Sequence, residues 1–198
     1  MYNKDRSLNE FCQFCFHNHN CRTCPYENEL KKDMTIKVGI IMEELVQNIV
    51  KCKYCNTHTL KRLGDNSPSL DLECTKCNKI IEVKSKCLSV NNLPNDIECK
   101  GGNYLHFCNN ISIRNLDLVL ILYGVNRSNK EINIREIYWI KNNLLKEQSN
   151  IKIIKNDKNN LSKIYIKDRL KLDKLIIKNI PKISFKAWAE KLIKTILI

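Results

Sequence analysis

Residues 52–86 read CKYCNTHTLKRLGDNSPSLDLECTKCNKIIEVKSK, and two patterns are interleaved in them. Cys52, Cys55, Cys74 and Cys77 form C-x2-C-x18-C-x2-C, the spacing of a four-thiolate zinc site. Asp71 stands three residues before Cys74, and Glu82-Val83-Lys84 begins five residues after Cys77. Ser69–Glu73 and Lys79–Lys86 read as strands, which makes the Cys74–Cys77 knuckle the turn of a hairpin. The period of two along a strand then sends Glu82 and Lys84 to one face and Ile81 and Val83 to the other. Zinc in the knuckle would fix the register and bring Asp71 near Glu82. Two carboxylates and a lysine on one sheet face, with apolar residues behind, suit Mg2+-dependent cleavage of a phosphodiester.

This combination resembles the PD-(D/E)xK nucleases, with Pro68-Ser69-Leu70-Asp71 in place of the compact Pro-Asp and Glu82-Val83-Lys84 as the E-x-K. Within that superfamily it is most similar to the zinc-containing catalytic domain of the DpnI-type restriction endonucleases. Those domains also set their Asp three residues before the second CxxC and continue E-x-K as E-x-K-S-K. Here the matching residues are Asp71, Cys74, Cys77, Glu82, Lys84, Ser85 and Lys86. A bare D…ExK is weak evidence in a lysine-rich chain; interleaved with four cysteines at zinc spacing, it is specific.

The resemblance covers about residues 36 to 183. It implies a restriction-endonuclease-like α/β fold, a central mixed sheet flanked by helices, with the four-cysteine zinc ribbon inserted at 52–77. It implies Asp71, Glu82 and Lys84 as catalytic residues, and Mg2+ held by Asp71, Glu82 and the Val83 carbonyl. A glutamate of the first helix, Glu43 or Glu44, would lie near that ion; a solvated acidic face is the other reading of the pair. DNA, in duplex form, is the implied substrate, cut to a 5′-phosphate and a 3′-hydroxyl. DpnI-type enzymes add a C-terminal winged helix that helps read the methylated site, so methyl specificity is not expected to carry over.

With 198 residues, 43 % of them hydrophobic, the chain has material for one domain or one plus a small appendage. A net charge of +13 favours a polyanionic partner. The abundance of Lys, Asn and Ile also points to an AT-rich coding sequence, so part of that basicity carries no function. From Ser149 onward there are 13 Lys plus Arg against 4 Asp plus Glu. Such a stretch reads equally as a phosphate-backbone surface or as the solvated side of ordinary elements. Eight of the eleven cysteines fall into CxxC pairs, the spacing of metal sites rather than of a disulfide scaffold. No basic start is followed by an apolar signal region, and no apolar run reaches membrane-spanning length. The expectation is a reducing, intracellular compartment without membrane association.

Ahead of the central stretch, Phe11–Glu27 carries Cys12, Cys15, Cys21 and Cys24 as C-x2-C-x5-C-x2-C. This reads as a second zinc site, with His17 and His19 as substitute ligands, or else as a redox-sensitive exposed cluster. It lies outside the resemblance and would contact nucleic acid or a protein partner, or cap the next helix. Asp33–Val50 reads as an amphipathic helix with Asp33 as N-cap and Met34, Val38, Ile41, Leu45 and Ile49 on its apolar face. His58 is not needed as a ligand, because four thiolates complete a tetrahedron. Lys61 and Arg62 read as surface charge unless they reach a phosphate.

Beyond Lys86, Pro94 argues for a loop around Asn91–Asn95, and a helix is expected over Asn103–Asn110. Leu116–Gly124 is a near-continuous apolar run, as in a strand buried on both faces. Glu131–Lys141, Ile151–Lys155 and Lys163–Lys167 read as strands, Asn142–Lys146 as a short helix, and Ser184 as the N-cap of a final helix through Leu197. Cys87, Cys99 and Cys108, with His106 nearby, read as free thiols rather than a third metal site. The expected organisation is an N-terminal zinc knuckle (1–32) and a nuclease-like domain (33–198). The expected function is a Mg2+-dependent DNA endonuclease stabilised by two structural zinc ions. The alternatives are a non-catalytic zinc-ribbon protein that binds nucleic acid and an RNA-directed nuclease of the same superfamily.

Overall fold

A computed structural model describes residues 27–63, 70–88, 93–126, 131–156, 159–180 and 183–184. Cys12, Cys15, Cys21 and Cys24 lie outside the described residues, as does the helix expected after Ser184.

Helix α1 spans Glu27–Ile49, so it opens six residues before the expected start and Asp33 sits inside it rather than at its N-cap. The sequence ENELKK is rich in good helix formers, which accounts for the extension. Val38, Met42, Leu45 and Val46 form its buried stripe, with Ile41 and Ile49 at the margin.

The central sheet follows the order β1-β2-β3-β5-β6-β10. Its strands are β1 (Leu60–Arg62), β2 (Leu72–Cys74), β3 (Ile80–Cys87), β5 (Asp117–Asn126), β6 (Glu131–Ile140) and β10 (Ile183–Ser184), and β9 (Asp173–Lys174) also pairs with β6. A second, three-stranded sheet runs β4 (Ile97–Asn103), β8 (Leu161–Ile166), β7 (Ile151–Lys155). Among the described residues only β3 and β5 pair in parallel, Val83 opposite Val119, and a parallel pair needs a crossover. Strand β4 and helix α2 (Tyr104–Ile113) supply it. A short α3 (Asn142–Glu147) follows β6.

Strand β5 is buried on both faces, as its apolar run predicts. Val119, Ile121 and Tyr123 pack toward α1, with Ile81 and Val83 beside them. Leu118, Leu120 and Leu122 pack on the other face with Phe107 and Ile111 of α2, Leu145 of α3 and Ile97, Ile151 and Ile164 of the small sheet. Each such side chain contributes roughly 1.5–3 kcal/mol by leaving water. Among the described residues the sheet is therefore covered by α1 and the segment around Ile177 on one side, and by two short helices plus a second sheet on the other.

Strand β4 was not expected from the sequence, because its E-C-K-G-G-N run lacks β-branched residues. Gly101 is required there: a Cβ would collide with the Ser162 hydroxyl on β8. Asn103, read as the first residue of a helix, is its N-cap, with Oδ1 accepting from the His106 N–H at 3.2 Å. Ser184 pairs with Glu131 in β10. Among the described residues, no helix is long and apolar enough to cross a membrane.

Candidate active site and metal centre

The two CxxC loops are copies of one motif, Cys52-Lys-Tyr-Cys55-Asn56 and Cys74-Thr-Lys-Cys77-Asn78. In each, the asparagine N–H donates to the carbonyl of the first cysteine at 2.8 Å. Both asparagines adopt positive φ, 52° and 55°, a conformation that asparagine tolerates better than most residues. Each loop thus curls its two thiols to one side. The four Sγ atoms lie within 4.8 Å of one another, with Cys52–Cys77 and Cys55–Cys74 at 3.5 Å. Four thiolates around a tetrahedral zinc at about 2.3 Å stand about 3.8 Å apart, so the set fits such an ion. His58 is exposed and takes no part.

Two threonines complete this centre, and sequence reasoning passed over them. The Thr57 hydroxyl lies 2.9 Å from Cys55 Sγ, and the Thr59 hydroxyl lies 3.1 Å from Cys74 Sγ. Burial pushes the Cys74 thiol up, but Thr59 and the N–H groups of Cys77 and Lys76 outweigh it and bring it down to about 6. Burial pushes the Cys52 thiol up to about 12.

The knuckle is the turn of a hairpin, as expected. Strands β2 and β3 pair antiparallel with Leu72 opposite Ile81, and the Asp71 N–H still reaches the Ile81 carbonyl at 3.3 Å. Beyond that point the ladder gives way to a side chain. The Val83 N–H donates to Asp71 Oδ2 at 2.6 Å, so Asp71 stands at the strand edge beside Glu82. Ile81 and Val83 point into the core under α1, and Glu82 and Lys84 lie on the opposite face. That face is enclosed rather than open, since Glu82 is only 1 % exposed.

Glu82 Oε1 pairs with the Lys84 ammonium. Glu82 Oε2 is buried and, among the described residues, has no hydrogen-bond partner. Burial pushes the Glu82 carboxyl up, with Lys84 opposing and Asp71 reinforcing. Burial alone would push the Lys84 ammonium down, but Glu82 and Asp71 outweigh it and hold it above the usual lysine range. An unpaired buried carboxylate oxygen is costly unless something meets it. A hard divalent cation, which takes oxygen ligands, fits this donor set of Asp71, Glu82 and a strand-edge carbonyl.

Of the two helix glutamates, the structure separates Glu43 from Glu44. Glu44 is exposed, whereas Glu43 turns inward and receives Arg62 Nε at 2.8 Å on Oε2. Burial and the charge of Asp71 raise the Glu43 carboxyl, while Arg62 and Lys84 lower it. Arg62 is therefore part of the site rather than plain surface charge. Nothing in the local sequence marks it, because its partner lies nineteen residues away on another element.

A buried network ties the metal knuckle to the sheet floor. Asp117 opens β5, is fully buried, and lies opposite Ile81. Its Oδ2 accepts from Tyr54 Oη at 3.0 Å and Trp139 Nε1 at 2.6 Å. Its Oδ1 accepts from the Asn142 N–H at 2.8 Å and pairs with Lys79 Nζ at 2.8 Å. Lys79 also stands over the Tyr54 ring, 4.9 Å from its centre. Tyr54 belongs to the first CxxC loop and Lys79 follows the second, so one carboxylate anchors both.

A family model, the DpnI Dam-replacing family, matches residues 24–164. No curated protein matches the chain. The matched span contains the whole knuckle, Asp71, Glu82 and Lys84, and the family is restriction-endonuclease-like, in agreement with the PD-(D/E)xK pattern. The chain belongs to the DpnI Dam-replacing family.

Proposed function

We propose that the chain is a Mg2+-dependent DNA endonuclease with Asp71, Glu82 and Lys84 as its catalytic residues. The observation that carries this reading is the sealed Glu82 carboxylate: one oxygen on Lys84, the other without a partner among the described residues, beside a second carboxylate on the adjoining strand edge. Asp71 and Glu82 would hold Mg2+ through hard oxygen atoms. The Val83 carbonyl is the third donor, because in a strand the N–H and C=O of one residue face the same edge, and the Val83 N–H faces Asp71. Bound there, the ion would polarise the scissile phosphate and make a bound water more acidic. Lys84, kept protonated by the two carboxylates, orients that water or offsets charge developing on the phosphate.

The four-thiolate centre holds zinc in a purely structural role, since four cysteines leave no open coordination position. A second zinc in Cys12, Cys15, Cys21 and Cys24, and contact of that knuckle with a protein partner or with duplex DNA, belong to the same proposal.

The test is cleavage of methylated and unmethylated plasmid in Mg2+ or Mn2+, with a chelator control. Asp71→Ala, Glu82→Ala and Lys84→Ala should each abolish cutting while zinc content, fold and DNA binding stay largely intact. Preorganised charges of the Lys84 kind contribute about 3–4 kcal/mol to a transition state, and Lys84→Arg, with different geometry, should rescue poorly. Wild-type protein that cuts no DNA or RNA, with variants that bind as it does, would establish a non-catalytic zinc-ribbon binder instead.

A further inference from the structure

Among the described residues, the carboxylates of Glu43, Asp71 and Glu82 and the cations of Arg62 and Lys84 act on one another around the catalytic hairpin. The cations offset much of the carboxylate charge, so each further divalent ion in this largely enclosed site meets less compensation, which is costly at low effective dielectric.

The pairing pattern points the same way. Lys84 is committed to Glu82 Oε1, and the unpartnered oxygen belongs to Glu82, which is 99 % removed from solvent. Glu43 differs, because its Oε2 accepts from Arg62. Strand β1 sets Arg62 opposite Leu72, and the Leu63 N–H bonds the Asp71 carbonyl at 3.0 Å. The guanidinium is thus delivered from the sheet edge next to Asp71, while Glu43 comes from α1. Both partners are largely covered, at 27 % and 19 % side-chain exposure, so the pair is poorly screened.

We propose that Arg62 withholds Glu43 from the catalytic cation and thereby limits the site to one divalent ion. Arg62 is a positioning residue, acting through Glu43, and this role rests on the nuclease reading above. Glu43 in turn fixes Arg62 beside Asp71, where the phosphate charge would arrive.

The experiment counts Mn2+ bound to the full zinc-loaded chain, with free Mn2+ read by electron paramagnetic resonance. An Asp71→Ala/Glu82→Ala chain supplies the background. Wild type should bind one ion. Arg62→Gln should bind a second ion, or hold the first at least about tenfold tighter, since removing one nearby positive charge is worth about that much to a divalent ion even in a water-like dielectric. Arg62→Lys keeps the charge and should still bind one. The charge-neutral double replacement Arg62→Gln/Glu43→Gln should return the wild-type number and affinity, and it decides alone if the single variant does not fold.

Two Mn2+ in wild type, or weaker binding in the double variant, overturns the proposal by showing that Glu43 is a ligand. An Arg62→Gln chain with wild-type number and affinity also overturns it. A wild-type chain no better than background removes the active-site reading itself, which is distinguishable from either result.

Discussion

Replacing Asp117 by Asn should cost several kcal/mol of stability, although Asp117 touches neither the four thiols nor the Asp71, Glu82 and Lys84 cluster. Asp117 Oδ2 faces two donors, the Tyr54 hydroxyl and the Trp139 ring N–H, and Oδ1 faces the Asn142 N–H and the Lys79 ammonium. An amide has only one oxygen, so whichever way Asn sits, its NH2 group meets two donors and those hydrogen bonds are lost. The charge goes as well, leaving the Lys79 ammonium, 7 % exposed, without its carboxylate and held by the Asn115 carbonyl and the Tyr54 ring. Breaking a buried pair by removing one partner costs about 3–5 kcal/mol. For a chain of this size that corresponds to a fall of roughly 6–20 °C in melting temperature.

The assay is thermal unfolding of the zinc-loaded protein, with zinc release to a chelator followed in parallel. Release should quicken, because Tyr54 sits inside the first CxxC loop. Adding Lys79→Met to Asp117→Asn removes the stranded charge and should recover part of the loss. A single variant that melts within about 2 °C of wild type, or a double variant less stable than the single, would refute this account of the network.

The zinc prediction is direct: one ion per chain in the Cys52/Cys55/Cys74/Cys77 centre and a second if Cys12, Cys15, Cys21 and Cys24 also close on metal. Elemental analysis below one zinc per chain, with every thiol titratable, removes the claim. Cys74→Ser should release the ion and unfold the hairpin, since apparent zinc binding of about 10–16 kcal/mol is linked to folding in small sites. The acid limb of stability should depend on Glu136. Burial raises its carboxyl, but Lys174, Tyr138 and the Arg169 charge outweigh that and hold it below its ordinary 4.5. A depressed acid stabilises the fold above its unfolded value and loses that contribution as pH falls through the lower folded value. Glu136→Gln should therefore melt lower at neutral pH and lose less on acidification; identical pH slopes for the two proteins would count against the role.

Much of this site was legible in the linear chain because its parts are local. The four cysteines and the D…ExK run lie within 35 residues, and one hairpin with period-two alternation brings Asp71 to Glu82 and Lys84. The repeated C-x-x-C-N was not read from the chain, although asparagine after each knuckle is a residue that accepts a left-handed turn. The unbroken apolar run around Leu120 announced a doubly buried strand for the same reason: burial on both faces leaves no alternation to read.

What tertiary structure decided is everything that depends on pairing between distant elements. The choice of Glu43 over Glu44 follows from which way α1 rolls on Met42 and Val46, and an amphipathic pattern alone does not fix that rotation to within one residue. The ion pair of Glu43 with Arg62, the four-way anchoring of Asp117 and the burial of Glu82 each join segments that meet only once the sheet has formed. Strand β4 was hidden because its Gly101 reflects close approach to β8 at Ser162, a property of the neighbour rather than of the segment. Local chemistry names the candidate ligands; packing sets which charges stand beside them.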